Sequence, residues 1–262
     1  MKLYAKKSLG QNFLIDKNII KKIINSTSIK DRNIIEIGPG NGAITAEILK
    51  NKPKLFSIIE KDEILANKLK IKYSNNKLVK IYCADILKFN LEKIVYKNSA
   101  IFGNLPYNIS SQILIKILKL KNWPPKFNDI IFMFQRELGQ KIIAKYPSVN
   151  YGRLSIITSY RLNILRRFLV SPNCFIPKPK VTSMVLHMQP IQKTNFNIMK
   201  IENLEKITAT LFSNKRKMIN KNIIKILNDR QIKEILNLKM NARPSEIKPE
   251  IYYKITELYE KS

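Results

Sequence analysis

The 262-residue chain predicts an α/β fold with a mostly parallel sheet, followed by a small all-helical region. Three observations carry that reading. Short apolar runs of strand length alternate with segments whose Ile and Leu recur at helical spacing, from residue 16 to about 134. Three of the seven glycines stand at 38, 40 and 42, between a strand pattern and a helix pattern. Beyond about residue 196 there is no glycine, and the sequence reads as several short helices rich in Lys, Ile, Asn and Leu.

The elements follow in order. Asp16 is an N-cap for a helix through Ile19, Ile20, Ile23 and Ile24. Residues 33–37 read as a buried strand, stopped by Gly38-Pro39-Gly40-Asn41-Gly42, and a helix runs on through Ile44 and Ile48. A second strand, 55–59, ends at Glu60, and a helix over 62–73 leads to a third strand at 78–82, just before Asp85. A fourth, Ala100-Ile101-Phe102-Gly103, delivers Asn104. A helix over 109–120 and a buried strand at 130–134 complete the alternation, which argues for parallel strands covered by helices on both faces. The runs 164–170 and 181–188 have no clear helix between them and are expected to pair antiparallel at one edge. The character changes near Gln189-Pro190, giving domains at 1–192 and 193–262.

Composition removes several function classes. No apolar run is long enough to span a membrane, and the opening Met1-Lys2-Leu3-Tyr4-Ala5-Lys6-Lys7 lacks the apolar core of a secretory signal, so a cytoplasmic location and no membrane partner are expected. Cys83 and Cys174 make neither a disulfide framework nor a metal set. The sole histidine, His187, lies in an alternating run and reads as a strand residue, which disfavours Ser-His-Asp chemistry and His-bound zinc; no metal is expected. The net charge of +29 points to a polyanionic partner. Of 48 basic residues 39 are Lys, which also suits a coding bias that raises Lys, Ile and Asn together.

Four strand ends then converge. In an open α/β sheet the ligand crevice lies outside the carboxyl ends of the strands. Successive ends supply Gly38 and Gly40, Glu60, Asp85 and Asn104. Glycine lets the backbone turn and approach a ligand, a carboxylate 18 residues past Gly42 can accept both hydroxyls of a ribose, and Asp85 can accept from an adenine amino group. The spacing is G-x-G-x-G, not the dinucleotide G-x-G-x-x-G, so S-adenosylmethionine fits better than NAD.

Asn104-Leu105-Pro106-Tyr107 supplies the chemistry that would use such a cofactor. Asn104 offers a side-chain acceptor, Pro106 stiffens the turn so that neighbouring carbonyls can face a ligand, and Tyr107 offers a ring on which a base can stack. An exocyclic amine on adenine is a weak nucleophile because its lone pair is delocalised. Two acceptors gripping its N–H groups would aim that lone pair at an electrophile.

Nearly the whole chain resembles the KsgA-type ribosomal RNA adenine dimethyltransferases. The resemblance rests on Lys7-Ser8-Leu9-Gly10-Gln11-Asn12-Phe13-Leu14, on Glu36-Ile37-Gly38-Pro39-Gly40-Asn41-Gly42, on Asn104-Leu105-Pro106-Tyr107-Asn108-Ile109-Ser110, on the late loop 175–183 and, roughly, on 211–217. It implies a Rossmann-like class I S-adenosylmethionine-dependent methyltransferase sheet with a small C-terminal all-helical domain. It implies dimethylation at N6 of two adjacent adenosines near the 3′ end of small-subunit (16S) rRNA, within a pre-assembled 30S particle, by a monomer. By the same resemblance Asn12, Leu14, Gly38, Gly40, Glu60, Asp85 and Asn104 contact the cofactor. Asn104 and the Leu105 carbonyl hold the amine, in the turn that Pro106 stiffens, and Tyr107 stacks on the flipped base with Phe175 on its other side. Asn214-Lys215-Arg216-Lys217 departs from the family, which usually has two arginines before the lysine; a Lys loses bidentate phosphate geometry.

Three rivals stand beside this. A macrolide-resistance methyltransferase of large-subunit rRNA shares the cofactor and catalytic motifs, but residues 7–14 and 175–183 are closer to the small-subunit enzymes. A DNA adenine methyltransferase lacks support because nothing resembles a target-recognition domain. A binding-only relative, such as an assembly factor, is disfavoured by the intact Gly38, Glu60, Asp85 and Asn104.

Overall fold

The strand order explains why four distant loops reach one place. The computed structural model describes residues 10–261. In chain order the first elements are β1 (Phe13–Leu14), α1 (Lys17–Ile24), β2 (Asn33–Ile37), α2 (Ala43–Lys50), β3 (Leu55–Glu60), α3 (Glu63–Lys72), β4 (Val79–Cys83), β5 (Ser99–Asn104), α4 (Ser110–Leu118) and β6 (Phe127–Gln135). Then come α5 (Arg136–Ile142), α6 (Arg153–Arg161), β7 (Leu162–Val170), β8 (Phe175–Ile176), β9 (Ser183–Pro190), α7 (Ile201–Leu211), α8 (Asn220–Ile223), α9 (Asp229–Lys233) and α10 (Pro249–Glu260).

Seven strands form one sheet in the order β4-β3-β2-β5-β6-β9-β7. The pairs β2·β3, β2·β5, β3·β4 and β5·β6 are parallel, and β9 runs antiparallel to β6. The order reverses between β2 and β5, which is the switch point where α/β sheets open a ligand crevice. Register pairs Ile37 with Gly103 there, so Gly38 and Asn104 emerge side by side.

Local chemistry sets the element ends. Asp16 Oδ1 accepts from the N–H groups of Asn18 and Ile19, both at 2.9 Å, and Asp62 Oδ1 accepts from Ile64 N at 3.0 Å, capping α1 and α3. The core on one side of the sheet joins Ile20, Ile23 and Ile24 of α1 and Ile44 and Ile48 of α2 to Ile34, Phe56, Ile58 and Phe102 of the strands. The antiparallel edge is ordered differently from its sequence order. β9 lies inside, against β6, and the earlier β7 lies outermost. β9 is buried almost throughout, whereas β7 exposes Arg166 and Arg167, charges that an edge strand carries into water and that discourage pairing with other chains.

At the opposite, amino-terminal ends of β2, β5 and β6 sits a buried polar knot. Arg32 Nη2 meets Asp129 Oδ2 at 2.8 Å, Thr27 donates to the same oxygen at 3.0 Å, and Gln189 donates to Asp129 Oδ1 at 2.9 Å. His187 Nε2 lies 2.6 Å from that Oδ1, so the histidine is a buried strand residue as expected, remote from the crevice. Burial alone would raise the Asp129 pKa, but the hydrogen bonds from His187, Gln189, Arg32 and Thr27 hold it well below the usual carboxylate range.

The chain divides into two compact units. One takes residues 10–139 with Asn163–Pro190, and the other takes Gln140–Leu162 with residues 191–261. This differs from a single cut at 192, because residues 140–162 carry side chains that complete the helical core. In that unit Tyr151 Oη donates to Ile247 O at 2.8 Å and Tyr253 Oη donates to Ile156 O at 3.0 Å. Leu204, Ile207 and Leu211 of α7, with Tyr252 and Ile255 of α10, are buried beside Ile156 and Tyr160 of α6.

Candidate active site

The crevice lies at the carboxyl ends of β2, β3, β4 and β5 and is closed by residues 10–14. Asn12, Leu14, Gly38, Gly40, Glu60, Asp85, Asn104, Leu105, Pro106 and Tyr107, all expected from the sequence, line this one pocket. Lys7-Ser8-Leu9 of the opening motif lie outside the described residues.

The glycine loop is built for close approach. Gly38, Gly40 and Gly42 have φ of 67°, 58° and 77°, the left-handed region that side chains rarely adopt. A Cβ on Gly40 would sit 2.8 Å from the Phe13 ring, so the N-terminal segment can fold over the loop only because nothing is there. Gly40 N in turn donates to Glu60 Oε2 at 3.2 Å, and Asp62 N donates to Oε1 at 2.9 Å. Each Glu60 oxygen is thus fixed by one backbone N–H and keeps acceptor capacity for a ligand. Burial pushes the Glu60 pKa up, against the lowering effect of those backbone bonds.

Asp85, at the β4 end, takes a hydrogen bond from Lys61 Nζ at 2.9 Å on Oδ2 and one from Leu87 N at 2.9 Å on Oδ1. The Lys61 hydrogen bond is the main reason that its pKa lies below the usual value. Glu36 is buried inside β2, and Thr45 Oγ1 donates to its Oε2 at 2.6 Å. Desolvation pushes Glu36 up to about 8, with the nearby Glu60 charge adding to it.

Asn104 is oriented by the N-terminal segment. Its Nδ2 donates to the Asn12 carbonyl at 3.0 Å, which leaves Oδ1 as an acceptor. The next turn is held by Ser110 Oγ, which donates to the Tyr107 carbonyl at 3.1 Å, and the Tyr107 hydroxyl hydrogen-bonds the Ser183 hydroxyl. Burial raises the Tyr107 pKa, and the Ser183 bond works the other way.

Phe175 is the expected site residue that the structure does not bring into the pocket. It pairs with Leu14 across the small β1·β8 sheet, is 2% exposed, and belongs to the core cluster with Ile131, Met133 and Val185. In this structure both faces of the ring are covered by that core. Reasoning from sequence passed over Glu36, Lys61 and Ser183. Glu36 left a signal, a carboxylate between Ile34-Ile35 and Ile37, and Ser183 left one as the end of the late loop 175–183, whereas Lys61 left none.

Comparison with known proteins decides the family. A model described as ribosomal RNA adenine dimethylase matches residues 2–261. The chain belongs to the ribosomal RNA adenine dimethylase family. Within that family it is 41% identical over 260 residues to ribosomal RNA small subunit methyltransferase A of Pelagibacter ubique, covering 98% of this chain and 97% of the relative. It is 37% identical over 262 residues to the protein of the same name from Malacoplasma penetrans, covering 97% and 92%. The fold matches a dimethyladenosine transferase from Plasmodium falciparum with a TM-score of 0.79 at 22% identity, over 95% of this chain and 98% of that one. The 23S rRNA methyltransferase ErmE matches with a TM-score of 0.71 at 22% identity, over 95% and 100%. These dimethylase-family and methyltransferase folds share the class I sheet described above.

The pocket's acidic described lining residues are Glu36, which burial keeps largely protonated near neutral pH, Glu60 and Asp85, and its one basic described lining residue is Lys61, paired with Asp85. The described residues hold no group of His, Cys, Asp and Glu able to bind a metal, and no described helix is long and apolar enough to cross a membrane.

Proposed function

We propose that this chain is an S-adenosylmethionine-dependent dimethyltransferase acting at N6 of two adjacent adenosines near the 3′ end of small-subunit rRNA, within a pre-assembled 30S particle. The observation that carries the reading is the carboxylate-lined crevice whose mouth is Asn104-Leu105-Pro106-Tyr107. Membership of the dimethylase family, and relatives named as small-subunit methyltransferases, support it over a large-subunit target.

The donor set fits the cofactor. Glu60 offers two fixed oxygens for a ribose diol, and Asp85 an acceptor for an adenine amine. When bound, S-adenosylmethionine supplies an electrophilic methyl group on a sulfonium. The chain's own residues do the rest by positioning. Asn104 Oδ1, held outward by the Asn12 carbonyl, and the Leu105 carbonyl accept from the two N–H groups of the target amine and turn its lone pair toward the crevice. Tyr107 stacks on the flipped base. No strong base is required, since the amine becomes acidic as it gains a methyl and its proton leaves to water.

A second methylation presents an amine with one N–H fewer, so one acceptor is left unused. A neutral amide carbonyl loses less there than a buried carboxylate would. The basic helical unit, where Lys215, Arg216 and Lys217 are exposed, supplies backbone contacts to rRNA. Incubation with labelled S-adenosylmethionine and undermethylated small subunits tests the proposal. Incorporation into small-subunit rRNA is expected; labelling of large-subunit rRNA alone, or none, would refute it.

A further inference from the structure

The late loop 175–183 is a motif that the crevice itself leaves unexplained, since Phe175 at its start is core. Its last residue reaches the site. Ser183 is fully buried at the first position of β9, held by its antiparallel partner Gln135, and its hydroxyl bonds the Tyr107 hydroxyl. One residue earlier, the Thr182 carbonyl accepts from the N–H of Arg136, the first residue of α5, at 2.9 Å, so the strand entry is fixed by backbone as well. At the other end of Tyr107, Ser110 fixes its carbonyl at 3.1 Å.

We infer that Ser183 is a positioning residue for the target base, acting through Tyr107. Stacking requires only the ring of a tyrosine, and a phenylalanine would stack as well, so the hydroxyl is available as an anchor. A tyrosine on a loop turns about two side-chain bonds. Held at its carbonyl by Ser110 and at its hydroxyl by Ser183, it keeps its ring in one direction before the base arrives, and less ordering is left for the moment of binding. β9 is locked in the sheet, so the anchor moves with the scaffold that carries Asn104 rather than with the loop. The inference rests on the proposed function, since the base is the one that reading places on Tyr107.

The test is a cycle of Ser183→Ala, Tyr107→Phe and the double variant. Single-turnover methyl transfer to undermethylated small subunits and calorimetric binding of S-adenosylhomocysteine are measured for each. Loss of one hydrogen bond corresponds to about a 3- to 10-fold slower transfer in each single variant. The double variant should be no slower than either single one, with cofactor affinity within about twofold of wild type throughout. Losses that multiply, a matching loss of cofactor affinity, or wild-type rates in both single variants would overturn the inference. Three-bond couplings that report χ1, measured by NMR on labelled tyrosine with Tyr107 assigned from the Tyr107→Phe spectrum, give a readout without substrate. One χ1 rotamer is expected in wild type and averaging over rotamers in Ser183→Ala, and equal averaging would refute the anchor. If wild type methylates no adenine, the proposed function fails while the rotamer comparison still decides whether Ser183 holds the ring.

Discussion

Replacing Gly40 with Ala should disturb the site through a ring, not only through the backbone. Gly38 and Gly40 share a left-handed φ, 67° and 58°, so Ala at either position incurs about 1–2 kcal/mol of backbone strain. Their surroundings differ. A Cβ at 38 would meet its nearest neighbour, the Asn104 carbonyl, at an ordinary 3.6 Å, whereas at 40 it would meet Phe13 Cδ1 at 2.8 Å. Phe13 is itself buried, so its ring has no open space to enter, and forcing it aside should add about 1–3 kcal/mol of overpacking. Phe13 follows Asn12, whose carbonyl holds the Asn104 amide, so the displacement should reach the amine-binding acceptor. Urea unfolding of Gly38→Ala, Gly40→Ala, Phe13→Ala and Phe13→Ala with Gly40→Ala measures this. The Gly40 variant should be less stable than the Gly38 variant by the overpacking alone, and Phe13→Ala should relieve that part. Equal losses at the two glycines, or strictly additive losses in the Phe13 pair, would refute the reasoning.

Asn104→Asp should slow the second methyl transfer more than the first, read by mass spectrometry of mono- and dimethyladenosine over time; equal slowing would contradict the unused-acceptor argument. Asp129→Ala should cost about 3–5 kcal/mol in urea unfolding, because it leaves the buried Arg32 guanidinium unpaired. Glu36 takes up its proton more readily folded than unfolded, so its contribution favours folding at low pH and is lost as pH rises from about 4.5 to about 8. Glu36→Gln should therefore gain stability relative to wild type between pH 5 and pH 8.5, and a constant difference would show that Glu36 does not titrate in that window. Binding to small-subunit RNA should weaken steeply as salt rises, as expected for a chain of net charge +29, and a flat response would remove the role given to the basic helical unit.

The sequence reveals the crevice well because its residues sit at strand ends, where apolar periodicity stops and a single polar or glycine residue stands out. Glu60, Asp85 and Asn104 are each the first chemistry-bearing residue after an apolar run. What it conceals is partnership across distance. Ser183 closes the late loop 175–183, but nothing local says what its hydroxyl meets; β9 slots between β6 and β7 and brings that hydroxyl to Tyr107. Phe175 shows the converse. Its place in a functional-looking loop suggests a stacking ring, but pairing with Leu14 buries it. Residues 140–162 precede β7 in the chain, and only the burial of Tyr151, Ile156 and Tyr160 among the late helices assigns them to the helical unit. Lys61 reads as one more surface lysine until the parallel register of β3 and β4 brings it to Asp85.

The most direct test of the proposed activity is mass-spectrometric mapping of methyl groups on rRNA after reaction of this protein with undermethylated small subunits and S-adenosylmethionine. Two adjacent N6,N6-dimethyladenosines near the 3′ end of the small-subunit RNA are expected, and both should vanish with Asn104→Ala. Methyl groups on a single adenosine, on another base, or on large-subunit RNA would contradict it.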